Sequence, residues 1–358
     1  MIQSIFTIKY FANYIDTFCI YPARFNDHIS KRLSVQDAIS DFLDEKIDPF
    51  NFKRIPTIDL PILEKINSKI WFYILIISYC IGALKYLISK EFTHIYVRES
   101  LLALFVIILK NLLRLKTLII YESHNESVLD RFIIENSKIT VCISRYLYIK
   151  YSKKYSDKKL LLAEDAARRK INKSLKIPEK ICKVFEINKN KCKILYVGST
   201  FDHKGYSFLL KSSHILPEEF HMILIGGSIK EMNQNKKIID KSKVSLFSEI
   251  EYKYISRIIQ KSDILLLPNL NHRKNLSTSP LKLYEYLLSN KPIIFSDIQS
   301  FKDVLISQPY CYSFKSGNKV DFIEKLKIIF SQSSSFSKIF REVNSWEKRS
   351  KLIIDKII

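Results

Sequence analysis

Three polar clusters in this sequence fall at the ends of apolar runs, and each has the residue types to hold an anion or a sugar. The richest is STSPLKLYEYLLSNKPIIFSD, from Ser277 to Asp297. Ser279 reads as a helix N-cap and Pro280 as the first helical residue, so a helix is expected from there to about Asn290. First-turn amides have no intrahelical acceptor and sit at the positive end of the helix dipole, which makes those of Leu281 and Lys282 a candidate anion site. Glu285 shares a face with Leu281 and Leu288, at spacings of four and three, and that face is expected to be the apolar, inward one. An inward carboxylate is costly unless it accepts hydrogen bonds. A pair of sugar hydroxyls would satisfy it, and so would the amides of a neighbouring loop.

The second cluster is LYVGSTFDHKGYSFLL, where Gly198 closes an apolar run and His203, Lys204 and Gly205 open the next helix. Lys204 stands where a phosphate would meet helix amides, although a plain surface lysine fits the same pattern. The third is LIIYESHNES, with Glu122 and His124 after an apolar run. His124 could donate to a diphosphate or a sugar hydroxyl, or simply be solvated.

These clusters need elements to position them. Twelve short runs rich in Ile, Val and Leu alternate with longer helical segments, which is the pattern of parallel sheets in an α/β, doubly wound fold. In the first half they are TFCIYP, FKRIPTI, THIYV, TLIIYE, ITVCIS and KLLLAED. In the second they are KILYVGS, HMILIGG, KVSLF, DILLLPN, PIIFSD and YCYSF. A chain of 358 residues suits two such domains. The basic stretch from Arg168 to Lys191 reads as their connection, and ligands in such sheets bind outside the carboxyl ends of the strands.

Composition narrows the partners. The six cysteines (Cys19, Cys80, Cys142, Cys182, Cys192 and Cys311) form no metal-ligand or redox spacing, so reduced thiols in a cytoplasmic protein are expected. The net charge of +22 is spread over both halves, mainly as lysine, which argues against nucleic acid and fits a surface resting on anionic lipid. No secretory leader is apparent at the N-terminus. The one segment near spanning length, WFYILIISYCIGALKYLI from Trp71 to Ile88, contains Lys85 and is expected to be a core helix with a lipid-facing edge.

Taken in order, these pieces resemble the retaining glycosyltransferases of family 4, the group 1 glycosyltransferases of GT-B fold. YVGS…HKG looks like the family's first donor-domain strand and phosphate lysine. SDILLLPN is similar to "aDvlllP", and SPLKLYEYLLSNKPIIFSD to "SPlKlfEYmasGkPvvasD". In the first half, THIYVRES, YESH, ITVCISRYL and LAEDAA resemble "diiyvRs", "yEiH", "ivaiS.yl" and a "DGvd" segment. The resemblance implies two doubly wound Rossmann-like domains facing a cleft. By that reading, residues 1–170 are the acceptor side, 171–190 a linker, 191–335 the nucleotide-sugar donor domain, and 336–358 a C-terminal helix packing back on the first domain. Trp346, Leu352 and Ile353 are its expected anchors.

The resemblance also implies roles. Glu285 would hold the ribose hydroxyls, and Lys204 the donor diphosphate with help from Ser279 and the amides of Leu281 and Lys282. Gly198, Ser199, Gly226 and Gly227 would give close approach to the donor, Phe247 would lie beside the base, and His124 near the transferred sugar. Catalytic weight would fall on His124, Lys204 and Glu285, with no cofactor and no metal, and no DxD triplet is present. The expected partners are a nucleotide-sugar donor and a glycan or lipid-linked acceptor, with peripheral contact to the inner face of an anionic membrane and no nucleic acid.

Departures accompany the match. Ser277 and Ser199 stand where the family often has glutamate and arginine, and Asn290 where glycine usually ends the helix. No glycine precedes Gly82, so the opening strand and glycine-rich loop of the first domain are expected either to have diverged or to be missing. Beside the transferase reading stand a catalytically impaired GT-B protein that binds nucleotide sugar or glycan, and a GT-B sugar-nucleotide epimerase.

Overall fold

The computed structural model describes residues 2–24, 35–47, 51–168, 174–236, 239–277, 279, 281–332 and 343–358. Among these the chain forms two compact units, one of Met1–Asp41, Glu45–Glu164 and Trp346–Ile358, the other of Phe42–Asp44 and Asp165–Ser345.

The first unit holds β1 (Phe18–Pro22), β2 (Asn51–Ile55), β3 (His94–Val97), β4 (Leu118–Ser123), β5 (Ile139–Cys142) and β6 (Leu160–Leu162). The second holds β7 (Cys192–Val197), β8 (Phe220–Ile225), β9 (Val244–Phe247), β10 (Ile264–Leu267), β11 (Ile293–Ser296) and β12 (Cys311–Phe314). Each falls on one of the apolar runs read from the sequence.

In the second unit the strands are all parallel, in the order β12-β11-β10-β7-β8-β9. The chain enters at the centre on β7, moves outward through β8 and β9, then returns to the other side of β7 as β10. The order therefore reverses between β7 and β10, where doubly wound sheets leave a crevice at the carboxyl ends of the strands. Every residue of β8, β10 and β11 is buried, because helices cover both faces, and this explains their unbroken runs of Ile, Leu and Phe. Leu195, Ile223, Leu265 and Ile293 pack into one face's core and Ile194, Met222, Leu224 and Ile294 into the other, as the two-residue period requires.

The stretch expected as a linker at 171–190 instead contains a helix, Glu179–Ile187. Its Ile181 and Phe185, four apart and thus on one helical face, are buried in the core of the second unit. The lysine-rich sequence around them hides that stripe.

In the first unit, β3-β4-β5-β6 make a parallel sheet in chain order, while β1 and β2 pair with each other. Among the described residues β1 pairs with no other strand, and β3 pairs only with β4. The first helix, Ile2–Phe11, packs on the last, Trp346–Ile357, with the Phe6 and Trp346 rings stacked at 5.4 Å. Ile353 and Ile354 are buried against Phe11, Ile120 and Val141. Leu352, expected as an anchor, is 46% exposed; one position earlier on a helix points about 100° away. Ile354 takes its place. All six cysteines are free thiols.

Candidate functional site

The strand ends of the second unit approach one another so closely that only glycine fits. Gly198, just after β7, donates its N–H to the Ile225 carbonyl at 2.9 Å, and Gly226, after β8, donates to the Phe247 carbonyl at 3.0 Å. Gly226 has φ of 148°, and a Cβ there would lie 1.7 Å from the Gly198 carbonyl oxygen. Gly227 follows at φ of 74°. Phe247 ends β9, partly buried against the core. A ledge of bare backbone thus forms at the strand ends.

Lys282 reaches over that ledge. A Cβ on Gly198 would sit 2.1 Å from the Lys282 Nζ, and the ammonium lies 4.6 Å from the centre of the Tyr196 ring. The Tyr196 hydroxyl donates to the Ser199 carbonyl at 2.7 Å and holds the loop after β7. Burial pushes the Lys282 ammonium down to about 7, the charge of Lys204 adds to the fall, and Glu285 opposes it. An ammonium disfavoured by burial and by the charge of a second lysine marks a place that favours an anion.

Lys204 closes a short 3-10 turn, Asp202–Lys204, and Gly205 follows at φ of 80°. Its ammonium donates to Asn275 Oδ1 at 3.3 Å. Asn275 Nδ2 donates to the carbonyls of His203 at 2.7 Å and Leu270 at 2.8 Å, and Asn269 Nδ2 donates to the same Oδ1 at 3.2 Å. Burial lowers the pKa of Lys204 as well. Asn275, a buried hub that aims Lys204, was not among the residues the sequence singled out. The signal for it was an asparagine a short way past β10, at the carboxyl end of a central strand.

The helix carrying Glu285 runs Leu281–Leu288, and Asn290 stands in the left-handed region at φ of 56°. Asparagine tolerates that conformation where glycine is usual. One detail differs from expectation. The buried stripe is Leu283, Tyr284, Tyr286 and Leu287, while Leu281, Glu285 and Leu288 form a neighbouring, half-buried stripe. The helix turns its tyrosines inward because their hydroxyls find partners there; Tyr286, for instance, accepts the Val197 amide at 3.2 Å. The Ser279 hydroxyl accepts the Asp165 amide at 3.2 Å and donates to the Tyr284 hydroxyl at 3.4 Å. Pro280 lies outside the described residues.

Glu285 accepts a hydrogen bond from the Tyr252 hydroxyl. Beside it opens a pocket lined by Arg168, Tyr252, Ser256, Gln260, Glu285 and Ser289. Burial raises the Glu285 pKa above the usual carboxylate value, with the Tyr252 hydrogen bond and the charges of Lys282 and Arg168 working against that rise.

His124 belongs to the first unit and to a different cluster. Its Nε2 lies 2.6 Å from Glu122 Oε1 and 2.9 Å from Arg98 Nη2. Arg98 Nε donates to the same Glu122 oxygen at 2.8 Å, while Arg349 Nη2, from the last helix, donates to Oε2 at 2.7 Å. Tyr96 also donates to Glu122. Burial works against ionising Glu122, but the two guanidiniums and His124 outweigh it and hold the carboxyl well below its usual range. Arg98 and Arg349 were not singled out in the sequence; one lay within a run read for its strand, the other on a helix read for its apolar face.

Residues 178–346 match the family model of glycosyl transferases, group 1. The match spans just under half of the chain. No curated protein sequence matches the chain. Among solved structures, the E. coli trehalose-6-phosphate protein bound with UDP-2-fluoro glucose is similar at a TM-score of 0.64 and 11% identity, over 95% of each chain. A glycosyltransferase from Rickettsia africae ESF-5 aligns at a TM-score of 0.62 and 14% identity, covering 99% of this chain and 90% of that one. The apo form of the lipopolysaccharide outer core galactosyltransferase WaaB aligns at a TM-score of 0.57 and 13% identity, over 95% and 98%. At these identities the likeness is one of fold, and the fold is GT-B. Within the group 1 domain, Gly198, Lys204, Gly226, Gly227, Lys282 and Glu285 gather around the reversal of strand order, whereas His124 lies outside the matched residues.

Proposed function

We propose that the protein is a retaining, metal-independent glycosyltransferase that moves a hexosyl or related sugar from a nucleoside diphosphate donor to a saccharide or lipid-linked glycan in surface polysaccharide biosynthesis. The carrying observation is the meeting of Lys204 and Lys282 at the Gly198 strand end with Glu285 one turn along the helix. The two ammonium groups suit a diphosphate. The carboxylate suits ribose hydroxyls once the Tyr252 hydroxyl gives way. The UDP sugar bound by one structural neighbour makes uridine diphosphate sugars the first donors to test, and the lipopolysaccharide enzyme among the neighbours supports the acceptor class.

In the reaction the anomeric carbon–oxygen bond to the donor phosphate breaks, and the acceptor oxygen bonds to that carbon on the same face. The acceptor proton leaves with the departing phosphate oxygen. Lys204 and Lys282 stabilise the charge growing on the diphosphate without reorganising at the moment of transfer. His124, held by Glu122 and Arg98, is proposed to meet the transferred sugar. The protein would work on the cytoplasmic side of a membrane, where nucleotide sugars are available.

The test is thermal stabilisation by a panel of nucleotide sugars, followed by donor hydrolysis with Lys204→Ala and Glu285→Ala. Stabilisation by one donor that both variants lose supports the reading. Binding and hydrolysis indifferent to both changes would overturn the site assignment.

A further inference from the structure

The helix Ser68–Ser89 is apolar on both sides, and among the described residues one side is buried while the other is exposed. Trp71, Leu75, Tyr79, Ala83 and Leu87 are buried within the first unit. On the opposite side Ile70, Tyr73, Ile77, Ile81 and Ile88 are exposed, Ile77 by 58% and Ile81 by 64%. Placed at 100° per residue, these five fall within a stripe roughly 80° wide and about 27 Å long. The preceding short helix, Pro61–Ile66, adds Ile62 and Ile66, exposed by 76% and 77%. A helix on the surface of a globular protein ordinarily turns charged and polar residues outward.

Charge says what covers this face. From Lys65 to Lys90 the sequence carries four lysines, Lys65, Lys69, Lys85 and Lys90, and no carboxylate. All four are exposed. The one carboxylate of the preceding short helix, Glu64, lies 3.8 Å from the Arg24 guanidinium, and Glu91 follows Lys90. Between them the aliphatic strip with cations along it complements an anionic bilayer, whose headgroups take the lysines while the isoleucines enter the acyl boundary. The helix lies on the surface and does not cross it, because its other side is tied to protein. The Tyr79 hydroxyl donates to the Ile20 carbonyl at 2.9 Å, and Trp71 Nε1 donates to Asp59 at 2.8 Å.

We infer that the exposed face of Ser68–Ser89, continued by Ile62 and Ile66, docks the first unit on the surface of an anionic lipid bilayer. This gives the proposed membrane-side function a specific contact, yet it can be read without donor or turnover, so the two stand or fall separately.

The experiment is co-sedimentation of the full chain with phosphatidylcholine vesicles, with and without phosphatidylglycerol. The expected result is partition onto the anionic vesicles that weakens with salt. The double variant Ile77→Gln/Ile81→Gln, at two exposed positions, should lower that partition by about tenfold or more. Changing Lys65, Lys69, Lys85 and Lys90 to Gln should reduce it to the level seen on phosphatidylcholine alone. Unchanged partition of the isoleucine variant overturns the inference. So does self-association abolished by that variant in the absence of vesicle binding, which would make a second copy the occupant. Resistance of the membrane-bound protein to alkaline carbonate extraction would also overturn it, in favour of a spanning helix. Circular dichroism matching the parent shows that each variant is folded.

Discussion

Arg349 and Glu122, separated by 227 positions, meet at 2.7 Å, and each side chain is only 1% exposed. The same guanidinium donates through Nε to the carbonyls of Ala163 at 3.2 Å and Glu164 at 3.1 Å. The last helix is therefore fastened to the end of β4, two residues before His124. Arg98 completes the arrangement from β3's end and reaches Gln3 Oε1 at 2.7 Å on the first helix. Both chain ends converge on one carboxylate.

Arg349→Met should destabilise the first unit by about 3–5 kcal/mol, since it strips a buried carboxylate of one partner and leaves two carbonyls unmet. Arg349→Lys should recover little, because a lysine cannot bond the carboxylate and both carbonyls together. The only two tryptophans, Trp71 and Trp346, lie in the first unit, so their fluorescence during urea unfolding reports on that unit.

Acid should expose the same pair. A carboxyl whose folded pKa is depressed contributes stability that is present above its unfolded value, near 4.3 for glutamate, and lost as pH falls toward the folded value. Tryptophan-monitored stability should therefore hold from neutrality down to about that value and fall below it. In Glu122→Gln this part of the acid dependence should vanish, along with the neutral-pH stability it represents. An equally steep acid limb in the variant would mean that other carboxylates set it.

Among the described residues the twelve strands were legible, most plainly β8, β10 and β11, because parallel strands covered on both sides are written as unbroken apolar runs. The positions of Gly198 after a strand, Lys204 before a helix and Glu285 within a helix were also legible. The misjudged details involve direction and partnership. Tyr284 and Tyr286 lie inward because hydroxyls can be satisfied there, which a hydropathy stripe does not register. Arg349 acts through contacts made across the fold, and nothing local marks it.

Gly226→Ala should be severely destabilising, by about 2–4 kcal/mol, since the added Cβ meets the Gly198 backbone and the conformation itself resists a side chain. Gly317→Ala is the matching control. It also has positive φ, at 77°, but a Cβ there meets nothing within 4 Å, so roughly 1 kcal/mol is expected. Thermal melts of the two variants test whether the crowded, glycine-only conformation at Gly226 costs more than the open left-handed one at Gly317.

Glu285→Gln should separate stability from binding. A carboxyl whose folded pKa is raised favours the fold only while protonated, and that contribution is lost as pH rises through the folded value. At neutral pH the neutral glutamine should therefore raise the melting temperature by roughly 2 °C or more. The same variant should bind its donor about tenfold or more weakly, because an amide is a poorer acceptor for two hydroxyls than a carboxylate. A variant that is both more stable and equally good at binding would remove Glu285 from the site.

Lys282 offers a proton count. With its pKa lowered to about 7, the ammonium is largely deprotonated at slightly alkaline pH when the crevice holds no anion. A diphosphate placed against it favours the charged form, so donor binding should take up close to one proton there, and affinity should decline as pH rises above about 7. Calorimetry in two buffers of different ionisation heat measures that uptake directly. Lys282→Met should erase it and flatten the pH dependence, while leaving the Lys204 contact in place. Donor binding with no proton uptake in the parent protein would mean that the diphosphate does not lie against Lys282.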